Sequence, residues 1–308
     1  LGGAGTDCAL DAIALPDGII FTGYHEMYGA QNCCLYKLDP DGNQLWMQSW
    51  GGDSMDQGNA IAQTPDGGLV IAGETNSFGA GWTDMWVIKT DCNGDTLWSR
   101  TLGDTGRDSA QDVVVTSSGT IVIAGYTNSW GAGNLDAWIL CLDATGTVLW
   151  QQILGGTSID EAHSITLASD GGYAVAGRTM SFGNGHFDAW LIKLDSLGNE
   201  QWTQTYGSSQ EESAEAVIQT QNGDYAVLGS TIPSPSPRQI WSVRTDAQGN
   251  LLSQSTWGQG CGYAALPCPD GGALYAGSTQ DFGANFEDAF LLRVDAQDQC
   301  AWITLAGE

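Results

Sequence analysis

Three observations in the sequence predict an all-β fold, a six-bladed β-propeller with four antiparallel strands in each blade. A unit of about 50 residues occurs six times, each copy contains four short apolar runs separated by Gly, Asp and Asn turns, and no stretch keeps the 3.6-residue period of a helix. Four-stranded antiparallel sheets repeated in this way are typical of propellers.

Three recurring positions mark the unit. A Gly that ends an apolar run recurs every 48 to 52 residues, at Gly23, Gly73, Gly125, Gly177, Gly229 and Gly277. An Asp that opens a turn follows it, at Asp39, Asp91, Asp143, Asp195, Asp246 and Asp295. Seven residues later stands Trp46, Trp98, Trp150, Trp202 or Trp302, with Ser253 as the exception. These positions predict one domain, 1–308, with units at about 1–51, 52–103, 104–155, 156–207, 208–258 and 259–308.

The second unit shows the predicted elements in order. A first apolar run at 60–64 is followed by the turn at 65–68, and a second run covers 69–73. A Gly-containing loop at 76–81 leads to a third run at 84–90, which is mostly large and apolar. The turn at 91–94 connects this run to a fourth one at 96–102. Such runs and turns predict an antiparallel meander.

A residue that recurs in most copies is interpreted first as structural. The Trp set defined above is expected to form buried wedges between blades, as is a second set, five residues before the turn Asp: Cys34, Trp86, Trp138, Trp190, Trp241 and Phe290. The basic residues Lys37, Lys89, Lys193, Arg244 and Arg293 share one position and are expected to pair with nearby carboxylates, while Cys141 replaces them in the third unit.

Charge and hydropathy exclude several partners. Nine Lys and Arg against 36 Asp and Glu give a formal net charge of −27, which would repel nucleic acid and anionic lipid. No apolar run approaches the roughly 18 residues of a membrane helix, so direct membrane insertion is not expected. Hydrophobic residues make up 42% of the chain, which is enough for a packed core.

Two sets of acidic residues are candidate cation sites. The turns containing Asp39, Asp41 and Asn43, and Asp91, Asn93 and Asp95, resemble the beginning of calcium loops, although hairpin turns closed by their own Asp are the preferred interpretation. Asp7, Asp56, Asp108, Asp160 and Glu212 precede the first strand of their units and could form an acidic ring at a channel mouth. The preferred interpretation is that each accepts backbone N–H groups and fixes the crossover between blades. No cofactor is expected, with calcium as the possible exception.

Eight cysteines without metal-type spacing predict disulfides and an oxidising compartment. Because the first residues match the end of a unit, we expect six whole units, with no strand exchanged between the first unit and the last. The ring would then close through contacts or a covalent link. Cys8 and Cys261 hold equivalent positions in the first and last units, and a bond between them is slightly preferred over a link from Cys8 to Cys33 or Cys34.

One segment carries a resemblance to a known family: Leu142-Asp143-Ala144-Thr145-Gly146-Thr147-Val148-Leu149-Trp150. The unit that contains it ends at Gly155. The segment resembles the Trp-docking blade motif of quinoprotein-like propellers. The segments 64–81 and 95–103 resemble repeats of large secreted or surface-attached bacterial proteins. The resemblance implies the propeller fold but little about activity. The vicinal pair Cys33-Cys34 is similar to a pair above the cofactor of some quinoprotein dehydrogenases, but it lies further out, and those enzymes usually have eight blades.

The loops between the second and third strands carry the candidate contact residues. The near copies at 75–81 and 127–133 suggest that Phe78 and Trp130 are tucked inward. The residue just after the loop differs from unit to unit. Trp82, His186 and Phe286 stand at this position and are the candidate ligand or partner contacts.

The sequence therefore favours a non-catalytic extracellular or cell-surface propeller that is secreted and acts as a structural or adhesive module beside other protein subunits. The alternative is a lectin-like propeller that binds surface glycans. A propeller enzyme, hydrolase or quinoprotein, comes third, and His163, His186 and Arg178 in the fourth unit are the best hint of one, although a weak one.

Overall fold

A computed structural model describes residues 5–27, 29–281 and 288–306. Over these residues the chain is all-β, with 23 strands. Two compact units, Leu1–Leu154 and Gly155–Glu308, each contain three sequence repeats. None of the described residues belongs to a helix that could cross a membrane.

The first three repeats, in the first compact unit, form three separate four-stranded antiparallel sheets. Repeat 1 contains β1 (Asp7–Leu15), β2 (Gly18–Met27), β3 (Ala30–Leu38) and β4 (Gln44–Trp50). Repeat 2 contains β5 (Asp56–Gln63), β6 (Leu69–Thr75), β7 (Asp84–Thr90) and β8 (Thr96–Leu102). Repeat 3 contains β9 (Asp108–Val115), β10 (Ile121–Thr127), β11 (Asp136–Leu142) and β12 (Val148–Leu154).

The second compact unit contains a four-stranded and a seven-stranded sheet. Repeat 4 contains β13 (Asp160–Leu167), β14 (Tyr173–Thr179), β15 (Asp188–Leu194) and β16 (Glu200–Tyr206). The larger sheet runs β17 (Glu211–Gln219), β18 (Tyr225–Ile232), β19 (Gln239–Thr245), β20 (Leu251–Pro267), β21 (Ala273–Thr279), β22 (Asp288–Val294) and β23 (Cys300–Ala306).

The prediction of six separate four-stranded sheets is therefore not confirmed, because the described residues form five sheets. The reason is β20, a 17-residue strand that runs through the boundary between repeats 5 and 6. Its first half pairs with β19 and its second half with β21, so that two four-strand meanders share one continuous strand.

The recurring Gly is explained by a β-bulge in the first strand of each repeat. One residue of that strand is unpaired opposite the Gly, and the six bulge residues are Leu10, Asn59, Gln111, His163, Glu215 and Tyr263. A Cβ at Gly73 would lie 2.0 Å from the carbonyl oxygen of Gln57, and one at Gly177 would lie 1.9 Å from that of Glu161. The backbone of the bulged strand approaches too closely for any side chain at this position.

Both faces of the middle strands are covered in most repeats. Every residue of β6, β7, β10, β11 and β15 is buried. In the first compact unit, Val70 and Met85 of repeat 2 belong to one apolar cluster with Ile121 and Leu140 of repeat 3. Neighbouring sheets therefore pack face to face, and burial of this apolar area stabilises the repeats.

The two aromatic sets differ in burial. Trp86, Trp138, Trp190, Trp241 and Phe290 are buried as predicted. The Trp set that includes Trp98 and Trp150 is only half-buried, and Trp302 is 46% exposed. These rings stand on outer strands. Trp98 lies over a turn of the next repeat, where its indole Nε1 donates a hydrogen bond of 3.0 Å to the carbonyl of Ala144.

The expected ion pairs are confirmed. Lys37 pairs with Asp17 at 2.6 Å, Lys193 with Asp170 at 2.8 Å, and Lys89 with Asp66 at 3.3 Å, while Arg244 and Arg293 pair with Asp224 and Asp270. Each acidic partner lies in or beside the turn between the first two strands of the same repeat. The pairs therefore tie the third strand to that turn.

Candidate functional site

The loop between β6 and β7 is held by side chains at both of its ends. The hydroxyl of Thr75 accepts the backbone N–H groups of Ser77 and Phe78, at 3.1 and 3.2 Å. The carboxylate of Asp84 accepts the N–H of Gly81 at 3.0 Å. Gly79 has φ of +102°, and a Cβ there would lie 2.3 Å from the Asp84 carboxylate, so only glycine fits. These contacts fix the conformation of the loop that precedes Trp82.

Trp82 projects from this loop, and its side chain is 86% exposed. Its backbone is fixed, because its N–H donates to the carbonyl of Gly106 at 3.0 Å and the next residue, Thr83, forms a parallel bridge with Arg107. The N–H of Asp108 donates to Thr83 O at 2.8 Å. A large apolar ring is thus presented to solvent on a rigid backbone.

The indole of Trp82 lines a recess of about 240 Å³ together with Thr105, Gly106, Arg107 and Asn128. The side-chain oxygen of Asn128 accepts the backbone N–H of Arg107, which fixes the floor of the recess. The exposed Arg107 guanidinium lies 5.2 Å from the ring centroid of Tyr126 and forms no ion pair with any described residue. The recess therefore combines an exposed indole, an amide and a guanidinium whose charge is not paired.

The loop aromatics Phe78 and Trp130 are only partly tucked inward. Phe78 packs against the buried Trp86 with ring centroids 5.6 Å apart, and Trp130 packs against Trp138 at 5.3 Å. Phe78 is nevertheless 45% exposed and Trp130 38% exposed. The loop face of repeats 2 and 3 thus shows three aromatic rings to solvent, of which only Trp82 has no aromatic ring packed against it among the described residues.

The other two candidate contact residues do not join Trp82 in one described site. His186 holds the same repeat position in the second compact unit and is exposed. Phe286 lies outside the described residues, as do residues 1–4 and Gly307.

Four of the five ring acids accept several hydrogen bonds within their own repeats. Asp56 is fully buried and accepts the N–H of Gly52 at 2.8 Å, the hydroxyl of Ser77 at 2.6 Å and the hydroxyl of Thr75. Asp108 and Asp160 repeat this pattern, while Glu212 accepts Ser208 and Thr231. These carboxylates fix the segment that precedes each first strand, whereas Asp7 is exposed. A channel-mouth ring stays a prediction.

The candidate calcium turns are closed by their first Asp. Asp39 Oδ1 accepts the N–H groups of Asp41 and Asn43, at 2.9 and 2.8 Å. The hydrogen bond from the Asn43 side chain lowers the pKa of Asp39. Asp91 likewise accepts the N–H groups of Asn93 and Asp95. The described residues contain no group of three metal-ligating side chains placed to hold an ion, and calcium binding here stays a prediction.

A buried ionic cluster joins repeats 4 and 5. The bulge residue His163 lies between two carboxylates, with Nδ1 3.0 Å from Glu215 Oε2 and Nε2 3.5 Å from Glu161 Oε2. Arg178 Nε lies 2.5 Å from the same Glu161 oxygen. His163 and Arg178 are thus brought together, whereas exposed His186 has no hydrogen bond or ion pair with them among the described residues.

The charges of this cluster shift each other's pKa. Burial alone would lower the pKa of His163, but the carboxylates of Glu215 and Glu161 overcome it and raise that pKa to about 9. Burial alone would raise the pKa of Glu215, but the His163 charge lowers it to about 2. One signal in the sequence could have indicated the cluster, because Glu215 occupies in repeat 5 the bulge position that His163 occupies in repeat 4.

The eight cysteines, all of which are described, are free thiols. The predicted disulfides, including the bond between Cys8 and Cys261, are therefore not supported. Cys33 and Cys34 are both buried, and burial raises the pKa of Cys34 to about 12. Such thiols are poor nucleophiles at neutral pH.

Comparisons with known proteins agree on the fold. A family model described as a β-propeller domain of unknown function, DUF5122, matches residues 116–148. A protein of Caulobacter vibrioides (strain ATCC 19089 / CIP 103742 / CB 15), named regulatory protein FlaEY, is 26% identical over 256 residues, which is 73% of this chain. The chain spans about a quarter of the length of that curated relative, 26%.

Three solved structures resemble the chain at the level of the fold. The Dos1 propeller matches with a TM-score of 0.53 and 14% identity, over 90% of this chain and 63% of that one. A Dyadobacter fermentans DSM 18053 protein of unknown function matches with a TM-score of 0.54 and 14% identity, over 80% and 82%. Chaetomium thermophilum Sqt1 matches with a TM-score of 0.53 and 12% identity, over 99% and 87%. The chain is thus a β-propeller repeat protein, while the resemblance to quinoprotein-like propellers is not confirmed.

Proposed function

We propose that this chain is a non-catalytic binding propeller, a structural or adhesive module that binds another protein subunit through the loop face around Trp82. The observation that carries the proposal is the 86% exposure of an indole whose backbone is fixed on both sides. An exposed Trp lowers the solubility of a protein, and a ring this exposed adds little to the packing of its own repeat.

Trp82 and Arg107 belong to the residue types that dominate binding energies at protein interfaces. The loop that carries Trp82 is already ordered by Thr75, Asp84 and Gly106. Binding would therefore lose little backbone entropy.

The charge of the chain indicates the chemistry of the partner. A formal net charge of −27 favours a partner with a basic rim, which would be attracted over a long range at low ionic strength. The relative named as a regulatory protein is consistent with a role in binding.

The histidine cluster, which was the best hint of catalysis in the sequence, does not favour an enzyme. Both ring nitrogens of His163 face carboxylates, and the raised pKa of about 9 keeps the imidazole protonated at neutral pH. A protonated, doubly paired histidine cannot act as a general base.

We also propose six blades, with β20 shared between the fifth and the sixth, and an extracellular location. The blade count is supported by six four-strand meanders in the pairing of the strands. The location is supported only by the resemblance of the repeats to those of surface proteins, since the free cysteines give no support from disulfides.

A glycan-binding propeller is the second candidate. The observation that favours it is the recess, in which the Trp82 ring stands beside Asn128 and Arg107. An aromatic face beside amide and guanidinium donors can stack on a sugar ring and bind its hydroxyl groups.

The test measures binding of the wild-type chain and of Trp82→Ala to the cell-surface fraction of the source organism. We expect Trp82→Ala to weaken binding about 30-fold or more without changing the melting temperature. Leu197→Ala is the matched control, because Leu197 is 69% exposed on a hairpin turn and does not line the recess. Protease treatment of the surface fraction should abolish binding if the partner is a protein, and periodate treatment should do so if it is a glycan. Equal binding by wild type and Trp82→Ala would refute the proposal.

A further inference from the structure

Three pairs of adjacent repeats, 1 and 2, 2 and 3, and 4 and 5, meet at a seam in which a Trp covers a Gly. Trp46 lies over Gly94, Trp98 over Gly146, and Trp202 over Gly249, each Gly being part of the last hairpin turn of the next repeat. A Cβ at these three glycines would lie 3.0, 3.1 and 2.8 Å from the Trp ring. The glycines also have φ of +85°, +80° and +81°. Steric contact and backbone conformation therefore both favour glycine at these three positions.

Both partners change at the seam between repeats 5 and 6. Ser253 stands where the other repeats have Trp, and Asp298 stands where the others have Gly. Asp298 keeps the left-handed conformation, with φ of +56°, and is only 7% exposed. The Ser253 hydroxyl donates a hydrogen bond to its carboxylate. A small side chain has thus replaced the ring at the one described seam where the turn residue has a side chain.

Arg244 compensates the buried charge of Asp298. The Arg244 side chain is buried, its Nη1 lies 3.5 Å from Asp298 Oδ1, and its Nη2 donates to the carbonyl of Gly271 at 2.5 Å. The Nε atom has no hydrogen-bond partner in the described part of the chain, and Asp224 Oδ2 lies 3.8 Å from it. Arg244 thus reaches from β19 of repeat 5 to two turns of repeat 6.

A second exchange lies at the same junction. In repeat 4, Asp160 on the first strand accepts the hydroxyl of Ser181 in the loop. In repeat 6 the strand position is Gly260 and the loop position is Asp281, which accepts the N–H of Gln259. The carboxylate has moved from the strand to the loop, and β20 continues through the crossover without a break.

We propose that Ser253, Asp298 and Arg244 form a keyed seam, which allows repeat 6 to dock on repeat 5 and on no other repeat. A repeat edge that carries Trp would meet the Asp298 side chain, because even a Cβ at this position comes within about 3 Å of the ring. The Ser253 edge on a glycine turn would leave the volume of an indole empty. One wrong pairing therefore produces a steric clash and the other leaves a cavity, so both are less stable than the pairing of Ser253 with Asp298. The seam thereby makes the junction between repeats 5 and 6 different from the other described junctions.

The test is a double-mutant cycle with Ser253→Trp and Asp298→Gly, measured by urea unfolding of the whole chain. Each single change should raise the unfolding constant. The indole introduced by Ser253→Trp would meet the Asp298 side chain, and Asp298→Gly would remove the acceptor of the Ser253 hydroxyl and an anionic partner of Arg244. The double variant recreates the Trp–Gly pair of the other seams. We expect its unfolding constant to be at least about tenfold lower than the product of the single effects predicts.

Two further cycles make the result decisive. Ser253→Trp combined with Leu197→Ala is the control, and these two changes should be additive because Leu197 is exposed on a different turn. If Ser253→Trp does not fold, Ser253→Ala with Asp298→Asn tests the same hydrogen bond without added volume, and coupling is again expected. Additive effects of the changes at positions 253 and 298 in the cycle that can be measured would overturn the keyed seam.

Discussion

Replacing His163 by Gln should remove a large, pH-dependent part of the stability of the chain. In the native state the imidazolium is held by Glu161 and Glu215, with Arg178 on the far side of Glu161 and the carbonyl of Ala214 3.1 Å from Nδ1. A glutamine at this position keeps hydrogen-bonding capacity but has no charge, so two buried carboxylates would share only Arg178. Breaking a buried ion pair on one side is strongly destabilising.

The magnitude follows from the pKa of His163. A rise from 6.5 to about 9 corresponds to about 3 kcal/mol of the free energy of unfolding. Because the folded-state pKa is raised, this stabilisation is complete below pH 6.5 and is lost as the pH rises through about 9. Glu215 acts in the opposite direction: its pKa is lowered to about 2, so its contribution is present above the usual pKa and disappears in strong acid.

The assay is urea unfolding of wild type, His163→Gln and His186→Gln at intervals from pH 6 to pH 10. The wild type and His186→Gln should lose stability in parallel between pH 6.5 and about 9, since His186 is exposed. The His163→Gln variant should be less stable at pH 7 and should lack this loss. Above about pH 8 the buried thiols also titrate on unfolding in every variant, because burial raises the pKa of Cys34 to about 12 and that of Cys141 to about 11. A His163→Gln variant that loses as much stability as the wild type between pH 6.5 and about pH 8 would therefore show that His163 is not the titrating group and would refute the reasoning.

Two further predictions concern the core and the thiols. Trp138→Ala should lower the free energy of unfolding by about 3–5 kcal/mol, because the ring is 2% exposed and its removal leaves a cavity. Urea unfolding would measure the loss. Trp98 is half-buried, so Trp98→Ala should lower the free energy of unfolding by less, and equal losses would contradict the difference in burial. A thiol reagent at neutral pH should react with the folded chain at its two exposed cysteines, Cys92 and Cys300, and with the buried Cys33, Cys34, Cys141 and Cys261 only after unfolding, as mass spectrometry of the labelled peptides would show.

The repeat could be predicted from the sequence because its anchors have steric causes that act in every copy. Gly73 and its equivalents stand opposite a bulge and tolerate no side chain, and Gly94 lies under a Trp with left-handed backbone, so a side chain there would be strained. The pairing of Lys89 with a turn carboxylate was predictable for the same reason, since charge compensation recurs with the repeat.

What could not be predicted depends on contacts between residues far apart in the sequence. The half-burial of Trp98 depends on where the turn of the next repeat lies, and the continuity of β20 depends on pairing on both of its edges. The cluster around His163 was missed because Glu215 lies 52 positions along the chain and one repeat away. Trp82 was singled out from sequence, but its recess required the backbone pairing of Thr83 with Arg107.

At some positions one repeat carries a different residue from the others. Where a neighbouring position has changed as well, packing explains the difference; where none has, we look for a function. Where Trp becomes Ser253, the facing Gly becomes Asp298, and where Lys becomes Cys141, the turn Asp becomes Ser118. In each case a second substitution accommodates the first, so the demands of the fold are sufficient to explain the pair. Trp82 has no such counterpart, because its ring is 86% exposed and its backbone hydrogen bond to Gly106 could be made by any residue other than proline. The fold neither requires nor buries this large apolar side chain. Binding to another molecule would explain why a Trp stands at this position.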